Sequence, residues 1–357
     1  MEHLNDISQL LDLMVCPAFC VKSGTITYVN RDAAQSGICQ DTLITDLLAT
    51  GQQEYTDYQG GNLYLTVRTG SGSCGASVSR FQDSDIFVLD QDTQQAQLQT
   101  MALAAQELRT PLSNIMAVAD DLFPLNAQEK DPVAEAQAAR INRGLYQLLR
   151  IIGNMSDAYR YSKDTESKME YRDICSIWEE FWDHSAELVS HAGITLHYTG
   201  LRESILCLVD REKLERAASN MLSNALKFTP KGGSIDVKLA RRGKMLYLTM
   251  QNTGNTIPEE LRGNLFSRYL RLPGIEDSRF GIGLGMVMIR SAATAHGGTV
   301  LMEHLQDQGT RITMTMQIRQ DATGMVHSPV FLVDYAGERD HKLIELSEIL
   351  PPELYSI

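Results

Sequence analysis

The sequence predicts a multidomain α+β protein, and three textures in succession predict it. Short apolar runs alternate with turn signals up to residue 92. Two long seams of apolar residues at three- and four-residue steps fill 93–164, and strands mixed with helices around a glycine-rich turn fill 165–320. A short tail, 321–357, remains. The 357 residues suffice for two or three separate cores, and 43% hydrophobic with 22% charged residues is ordinary for a globular chain. A formal charge of -13 speaks against a nucleic-acid footprint and against attraction to anionic lipid. The chain has no apolar run of about 18 residues, and acidic residues precede its first apolar stretch. The expectation is a cytoplasmic protein whose partners include neither a membrane nor a nucleic acid.

In the first domain, 1–92, "AFCV" and "ITYV" flank "KSGT" as a hairpin. "NRDAAQSGI" reads as a helix, and "NLYLTVRTG", "GASVSRF" and "DIFVLD" as further strands of one antiparallel sheet. Its apolar interior reads as a packed core, with a ligand pocket as the alternative. The six cysteines show no metal-ligand spacing, so Cys16 and Cys20 are expected to be buried, reduced thiols.

In the second region, 93–164, Leu98, Met101, Ala105, Leu108, Leu112, Ile115, Ala119 and Leu122 form one seam. After a break at "FPLNAQEKDP", Ala134, Ala138, Ile141, Leu145, Leu148, Ile152, Met155 and Tyr159 form another. Two helices of about 30 residues make an antiparallel hairpin that leaves apolar surface uncovered, so a homodimer closing a four-helix bundle is expected. Gln106 follows the seam residue Ala105 by one step and points outward at the flank. The third region, 165–320, adds strands "GITLHY", "SILCLV", "SIDVKLA", "MLYLTMQN" and "TRITMTMQI". The tail reads as one strand-like run, 328–335, and one amphipathic helix closed by prolines. It either caps the third domain or contacts a partner.

The chemistry sits in four stretches. Asn220 and Asn224 in "SNMLSNALKFTPKGG" are four apart and share a helix face, with Lys227 one turn on. An amide oxygen there can serve as a ligand to Mg²⁺, which takes few protein oxygens alongside phosphates and waters. Read blandly, the same stretch is a polar helix face. Gly281, Gly283, Leu284 and Gly285 in "GIGLG" lead into a helix whose backbone N–H groups can approach phosphate. On the bundle's flank, "QELRTPLS" places Gln106, Glu107 and Thr110 together, and glutamine has no lone-pair nitrogen to act as a nucleophile. The sequence holds no histidine between His3 and His184, so neither long helix carries one.

In order and spacing, "QELRTPLS", "SNMLSNALKFTPKGG", "QNTGNTIP" and "GIGLGMVMIRSAATAHGG" resemble a sensor histidine kinase over roughly residues 95–320. "TITYVNRDAAQSGI" gives the first domain a softer resemblance to a PAS sensor module. The resemblance implies a PAS-like domain, a dimerisation and phosphoacceptor hairpin, and an α/β sandwich ATP-binding domain of the GHKL type. It implies ATP and Mg²⁺ as cofactors, a response regulator as partner, and a PAS ligand or signal. Asn220 is then the Mg²⁺ ligand, Asn224 and Lys227 face phosphate, and Phe228 packs on adenine. Gly254 belongs to the adenine-side turn. "RLPGIEDSRF" becomes the lid, and Arg268 and Arg271 either reach phosphate or are surface arginines.

The departures from the family carry as much weight. Asn252 stands where the family has an aspartate that accepts from the adenine amine, which predicts weakened ATP binding. Thr256 stands where it has a glycine. Gln106 stands where it has the phosphoaccepting histidine, which predicts that autophosphorylation is lost. Glu107 and Thr110 match residues that remove phosphate from a response regulator, or else survive as a docking surface. Three readings are open: a phosphatase or sequestering regulator, a non-catalytic scaffold paired with an active kinase, and an active kinase with another acceptor.

Overall fold

A computed structural model describes residues 2–14, 16–90, 93–122, 132–162, 168–254, 284–305, 309–320 and 340–356. The helix-hairpin break, Thr256, Arg268, Arg271, Gly281, Gly283 and the strand-like run 328–335 lie outside the described residues, apart from Pro132.

The first domain opens with α1 (Glu2–Leu13), then β1 (Ala18–Lys22) and β2 (Thr25–Val29). Ser23 and Gly24 take positive φ of 51° and 80° at their turn, as a tight hairpin requires. Short helices α2 (Arg31–Gln35), α3 (Ile44–Leu47) and α4 (Gln52–Thr56) lead to β3 (Asn62–Thr69), β4 (Gly72–Phe81) and β5 (Ser84–Leu89). Asn30 caps α2 by accepting from the Ala33 N–H, and its amide donates to the Leu11 and Cys16 carbonyls. One buried side chain thereby ties α1 to the sheet. The core is filled: Phe19 stacks on Phe87 at 4.8 Å, and Ile26, Leu63 and Leu65 are fully buried. Cys20 is buried as expected, but Cys16 is only half-buried because its backbone is held at the domain edge by Asn30.

The hairpin consists of α5 (Thr93–Leu122) and α6 (Pro132–Ser162). Pro132 opens α6, where its missing N–H has no helical partner to lose. The expected seams divide into two stripes. Ala105, Leu112 and Ala119 are buried with Leu145 and Ile152, Leu98 is buried with Ala158, and Ala138 is buried too, whereas Leu108, Ile115, Leu122, Ile141 and Leu148 are exposed. Two helices bury one stripe each between them, and a second stripe finds no cover among the described residues.

The third domain carries β6 (Glu170–Asp173), α7 (Ile174–Ser190), β7 (Thr195–Thr199), β8 (Leu206–Val209), α8 (Arg211–Phe228), β9 (Ser234–Arg242) and β10 (Met245–Asn252). Then follow α9 (Leu284–Ala295), β11 (Val300–Leu305) and β12 (Gly309–Gln317). Trp178 and Trp182 of α7 anchor its core. The tail supplies α10 (His341–Leu346) and a 3₁₀ turn (Pro352–Tyr355).

The first and third domains share one sheet in the order β2-β1-β5-β4-β3-β11-β12-β10-β9-β7. At the joint, β3 pairs antiparallel with β11, Tyr64 opposite Val300 and Asn62 opposite Met302. Arg290 of α9 lies over the Tyr64 ring at 4.6 Å and reaches Asp90, which also accepts from the Tyr64 hydroxyl at 2.8 Å. Sequence reasoning treated the two sheets as separate.

Candidate functional site

Gln106, Glu107 and Thr110 are all exposed on α5. Pro111, inside the same helix, withholds the N–H that would have bonded the Glu107 carbonyl. Gln106 borders a shallow pocket of about 270 Å³ with Leu103, Arg109, Ser156 and Tyr159. Arg109 donates to the Ser156 hydroxyl at 3.2 Å, tying α5 to α6 beside that position. The three side chains thus face solvent as the sequence implies.

The second group of residues lies along α8. Asp210 caps this helix by accepting from the Lys213 N–H at 3.0 Å. The Asp210 N–H in turn donates to Nε2 of His296, which follows α9 in "AHGG". His296 Nδ1 lies 2.7 Å from the Ala292 carbonyl, so the ring is neutral, and burial pulls its pKa down to about 4. This histidine braces the start of α8 against the end of α9. Its partners are remote in sequence, and only the motif gave a signal for it.

Asn220 is buried, and its amide donates to the Arg216 carbonyl at 2.8 Å. Gly285 packs so closely that a Cβ there would lie 2.8 Å from Asn220 Oδ1, which explains the glycine. The start of α9 and the amide of Asn220 are therefore neighbours, as the motifs imply. Leu284 is buried with Leu98 and Ala158 of the hairpin. Asn224 is half-buried. Gly254 likewise has no room for a side chain, because a Cβ would lie 2.1 Å from the Phe228 carbonyl. That contact brings the end of β10 to the end of α8.

Asn252 is buried; its Oδ1 accepts from the Thr310 N–H at 3.3 Å, and its Nδ2 has no hydrogen-bond partner among the described residues. The acceptor that sequence reasoning left to a base is thus already engaged.

Lys227 is the clearest departure. Its Nζ lies 2.5 Å from Glu348 of the tail, and only 8% of its side chain is exposed. Burial lowers its pKa, with Arg150 adding to the fall and Glu348 opposing it. Arg216, Asn220, Ser223 and Lys227 share one face of α8, and that face is covered by α6 and the tail. Arg216 binds Asp157 and Glu345, and Arg150 of α6 binds Ser223 and Glu348. Arg150, Arg216, Glu345 and Glu348 were not identified from sequence. The helical spacing of Arg216 with Asn220 and Lys227 is the one signal that could have pointed to any of them.

The donor set fits a Mg²⁺-bound nucleotide in kind. It offers one neutral amide oxygen, a glycine whose missing Cβ leaves room beside it, and a lysine that is paired with Glu348. Among the described residues no cluster of acidic, histidine or cysteine ligands suits a metal held by protein alone.

Residues 209–320 match the family model described as histidine kinase-, DNA gyrase B-, and HSP90-like ATPase. Over 237 residues the chain is 26% identical to the signal transduction histidine-protein kinase BaeS of Escherichia coli, covering 64% of this chain and 48% of BaeS. It is 24% identical over 227 residues to the sensor histidine kinase WalK of Bacillus subtilis, covering 62% of this chain and 36% of WalK. Full-length ShkA, crystallised with AMPPNP, superposes with a TM-score of 0.50 at 18% identity, covering 63% of this chain and 47% of ShkA. At that identity the likeness speaks to fold alone. The chain spans half or less of the length of these relatives. These matches support a histidine-kinase-like chain with a GHKL-type ATP-binding domain. No helix among the described residues is long and apolar enough to cross a membrane.

Proposed function

We propose that this chain is a homodimeric, histidine-kinase-like regulator of a two-component system that cannot phosphorylate itself and acts on a response regulator as a phosphatase. The observation that carries the reading is Gln106, exposed on α5 at the acceptor position, with no histidine anywhere on the hairpin. An amide cannot form the phosphoramidate that the kinase route requires. Glu107 and Thr110 remain exposed beside it, a carboxylate and a hydroxyl suited to placing water against a phosphoryl group carried by the partner. Dimerisation is supported by the exposed stripe Leu108, Ile115 and Leu122 with Ile141 and Leu148, at heptad spacing on both helices.

The sheet order β2-β1-β5-β4-β3, with three short helices before β3, supports the PAS reading of the first domain. Its filled core favours a role in signal relay over cofactor storage. ATP with Mg²⁺ supplies an effector here, binding weakly, with Asn220 offering the metal an oxygen and Asn224, Lys227 and the start of α9 facing phosphate. Phe228, Asn252 and Gly254 lie on the base side.

The test is incubation with radiolabelled ATP and Mg²⁺, beside phosphatase turnover on a phosphorylated response regulator. The natural chain stays unlabelled while Gln106→His takes label, and Glu107→Ala and Thr110→Ala lose turnover but keep partner binding. Label on the natural chain overturns the loss of autokinase activity. Absence of any turnover to lose favours the scaffold.

A further inference from the structure

The tail is built into the molecule on both sides. Ile344 enters the hairpin core with Leu145 and Leu149, whereas Leu346, Leu350 and Tyr355 enter the core of the ATP-binding domain. Its backbone is held as well: Arg143 donates to the Ser347 and Glu348 carbonyls at 3.0 Å, and Gln147 donates to the Ser347 carbonyl. Between these anchors, α10 and the turn after it press two carboxylates onto the covered face of α8. Glu345 meets Arg216 and Arg150; Glu348 meets Arg150 at 2.7 Å and Lys227 at 2.5 Å.

The cations at Glu348 come from different domains, Arg150 from the hairpin and Lys227 from α8. Both side chains are 8% exposed, while Glu348 keeps 31%. An anion thus sits between two buried cations at the open side of the cluster. Lys227 is on the same face as Asn220 and seven residues beyond it, so a nucleotide whose metal Asn220 holds would direct phosphate oxygens toward this pair. Phosphate oxygens and a carboxylate make the same charge-assisted bonds to a guanidinium and an ammonium. Both anions cannot occupy the pair at once.

We propose that the tail is an internal competitor for nucleotide phosphate: Glu348 occupies an anion site formed by Arg150 and Lys227, and nucleotide binding displaces it. Arg150 is thereby a phosphate-contacting residue supplied by the hairpin. Because the same tail segment joins the hairpin to the ATP-binding domain, its displacement frees the two to move relative to each other, and nucleotide occupancy reaches the Gln106 face. The proposal rests on the nucleotide reading of α8 given above.

The test uses the full chain and a fluorescent ATP analogue with Mg²⁺, read in two ways. Affinity is measured for the natural chain and for Glu348→Gln, which keeps the shape and the backbone contacts but removes the charge. Amide hydrogen exchange over 341–355 is measured in the natural chain with and without saturating nucleotide, which needs no variant. The expected results are about tenfold tighter binding by Glu348→Gln, within the usual range of coupling between sites, and faster tail exchange on binding. Lys227→Ala or Arg150→Ala in the Glu348→Gln background cancels the gain. Tail exchange unchanged at saturation overturns the competition while leaving nucleotide binding standing. Faster exchange with no gain in Glu348→Gln overturns the role of Glu348. Absence of saturable binding to either chain at millimolar nucleotide overturns the nucleotide reading, and the competition with it.

Discussion

Two joints hold the ATP-binding domain, and they are made of different materials. On one side β3 pairs with β11, so the first domain is attached by backbone hydrogen bonds and by close backbone contact. Gly61 takes a φ of +87°, and a Cβ there would lie 2.4 Å from the Met302 carbonyl. On the other side the hairpin and tail are attached through apolar contacts, Leu98 and Ala158 with Leu284 and the tail's Leu346, Leu350 and Tyr355 in the core, and through a layer of charges absent from the strand pairing: Arg150, Arg216 and Lys227 against Asp157, Glu345 and Glu348. A sheet joint has no substitute partner for its N–H and C=O groups except another strand. A charged joint accepts any anion of suitable shape. The first fixes a position, and the second can be exchanged.

The largest expected effect breaks the charged joint from inside. Arg216 is 7% exposed and faces both Asp157 and Glu345, the latter only 1% exposed. Arg216→Ala leaves two buried carboxylates short of a cation, and removal of one partner of such a group costs about 3–5 kcal/mol. Urea denaturation checks this. Gly61→Val is the matching break in the sheet joint, where a β-branched residue at positive φ meets a backbone oxygen. It costs about 2–3 kcal/mol and leaves tail exchange unchanged. If Gly61→Val instead releases the tail, the two joints are coupled and the contrast between them fails.

Much of this was legible in the sequence, and the illegible part has a physical reason. Turn glycines, alternating strands and heptad seams are local signals, so many elements of each domain and the exposure of Gln106 followed from them, whereas α1, α3, α4, β6 and β11 did not. The contact of Gly285 with Asn220 followed only because two motifs came from one resembled family. The joints did not follow. Strand β3 is buried on both faces along most of its length and strand β11 opens on three successive apolar residues, and nothing in either specifies the other as its partner. Glu345 and Glu348 look like the polar face of an amphipathic helix; their burial depends on arginines some 130 to 200 residues away. The split of the hairpin seam was illegible for a related reason: residues at three- and four-residue steps cover two adjacent stripes, and only a partner's position tells them apart.

Acid sharpens the comparison, because the interior of the ATP-binding domain and its charged joint titrate in different windows. His296 is neutral when folded: burial above all, with Arg319 and Lys213 adding, lowers its pKa from 6.5 to about 4. The unfolded chain takes up this proton near 6.5 and the folded chain only near 4. Stability of the ATP-binding domain therefore declines as pH falls through that interval, by up to about 3 kcal/mol. Glu348 behaves otherwise. Burial raises its pKa, but Arg150 and Lys227 outweigh burial and hold it below its ordinary 4.5. Tail docking keeps this contribution above pH 4.5 and loses it only as pH falls below. Urea midpoints from pH 7 to 5 therefore decline while the tail stays protected from exchange, and His296→Gln flattens that decline. A tail that loosens already at pH 6 would move the acid sensitivity from the interior of the ATP-binding domain to the charged joint.

The smallest expected effect lies in the nucleotide site and leaves both joints alone. Asn252 engages its oxygen with the Thr310 N–H, and its buried Nδ2 has no partner among the described residues. An amine donor such as that of adenine meets a second donor there. Asn252→Asp keeps one oxygen for Thr310 and offers the other, with a charge, to the amine. Charge-assisted bonds are about twice as strong as neutral ones, so ATP binds up to about tenfold more tightly. Thermal unfolding without nucleotide moves downward, because the buried carboxylate keeps the Thr310 bond but its second oxygen has no partner until the amine arrives. Combined with Glu348→Gln, the two gains add, since one acts on the base and the other on phosphate. Less than additive tightening would mean that tail and base compete for the same rearrangement, and that the charged joint reaches further into the site than Lys227.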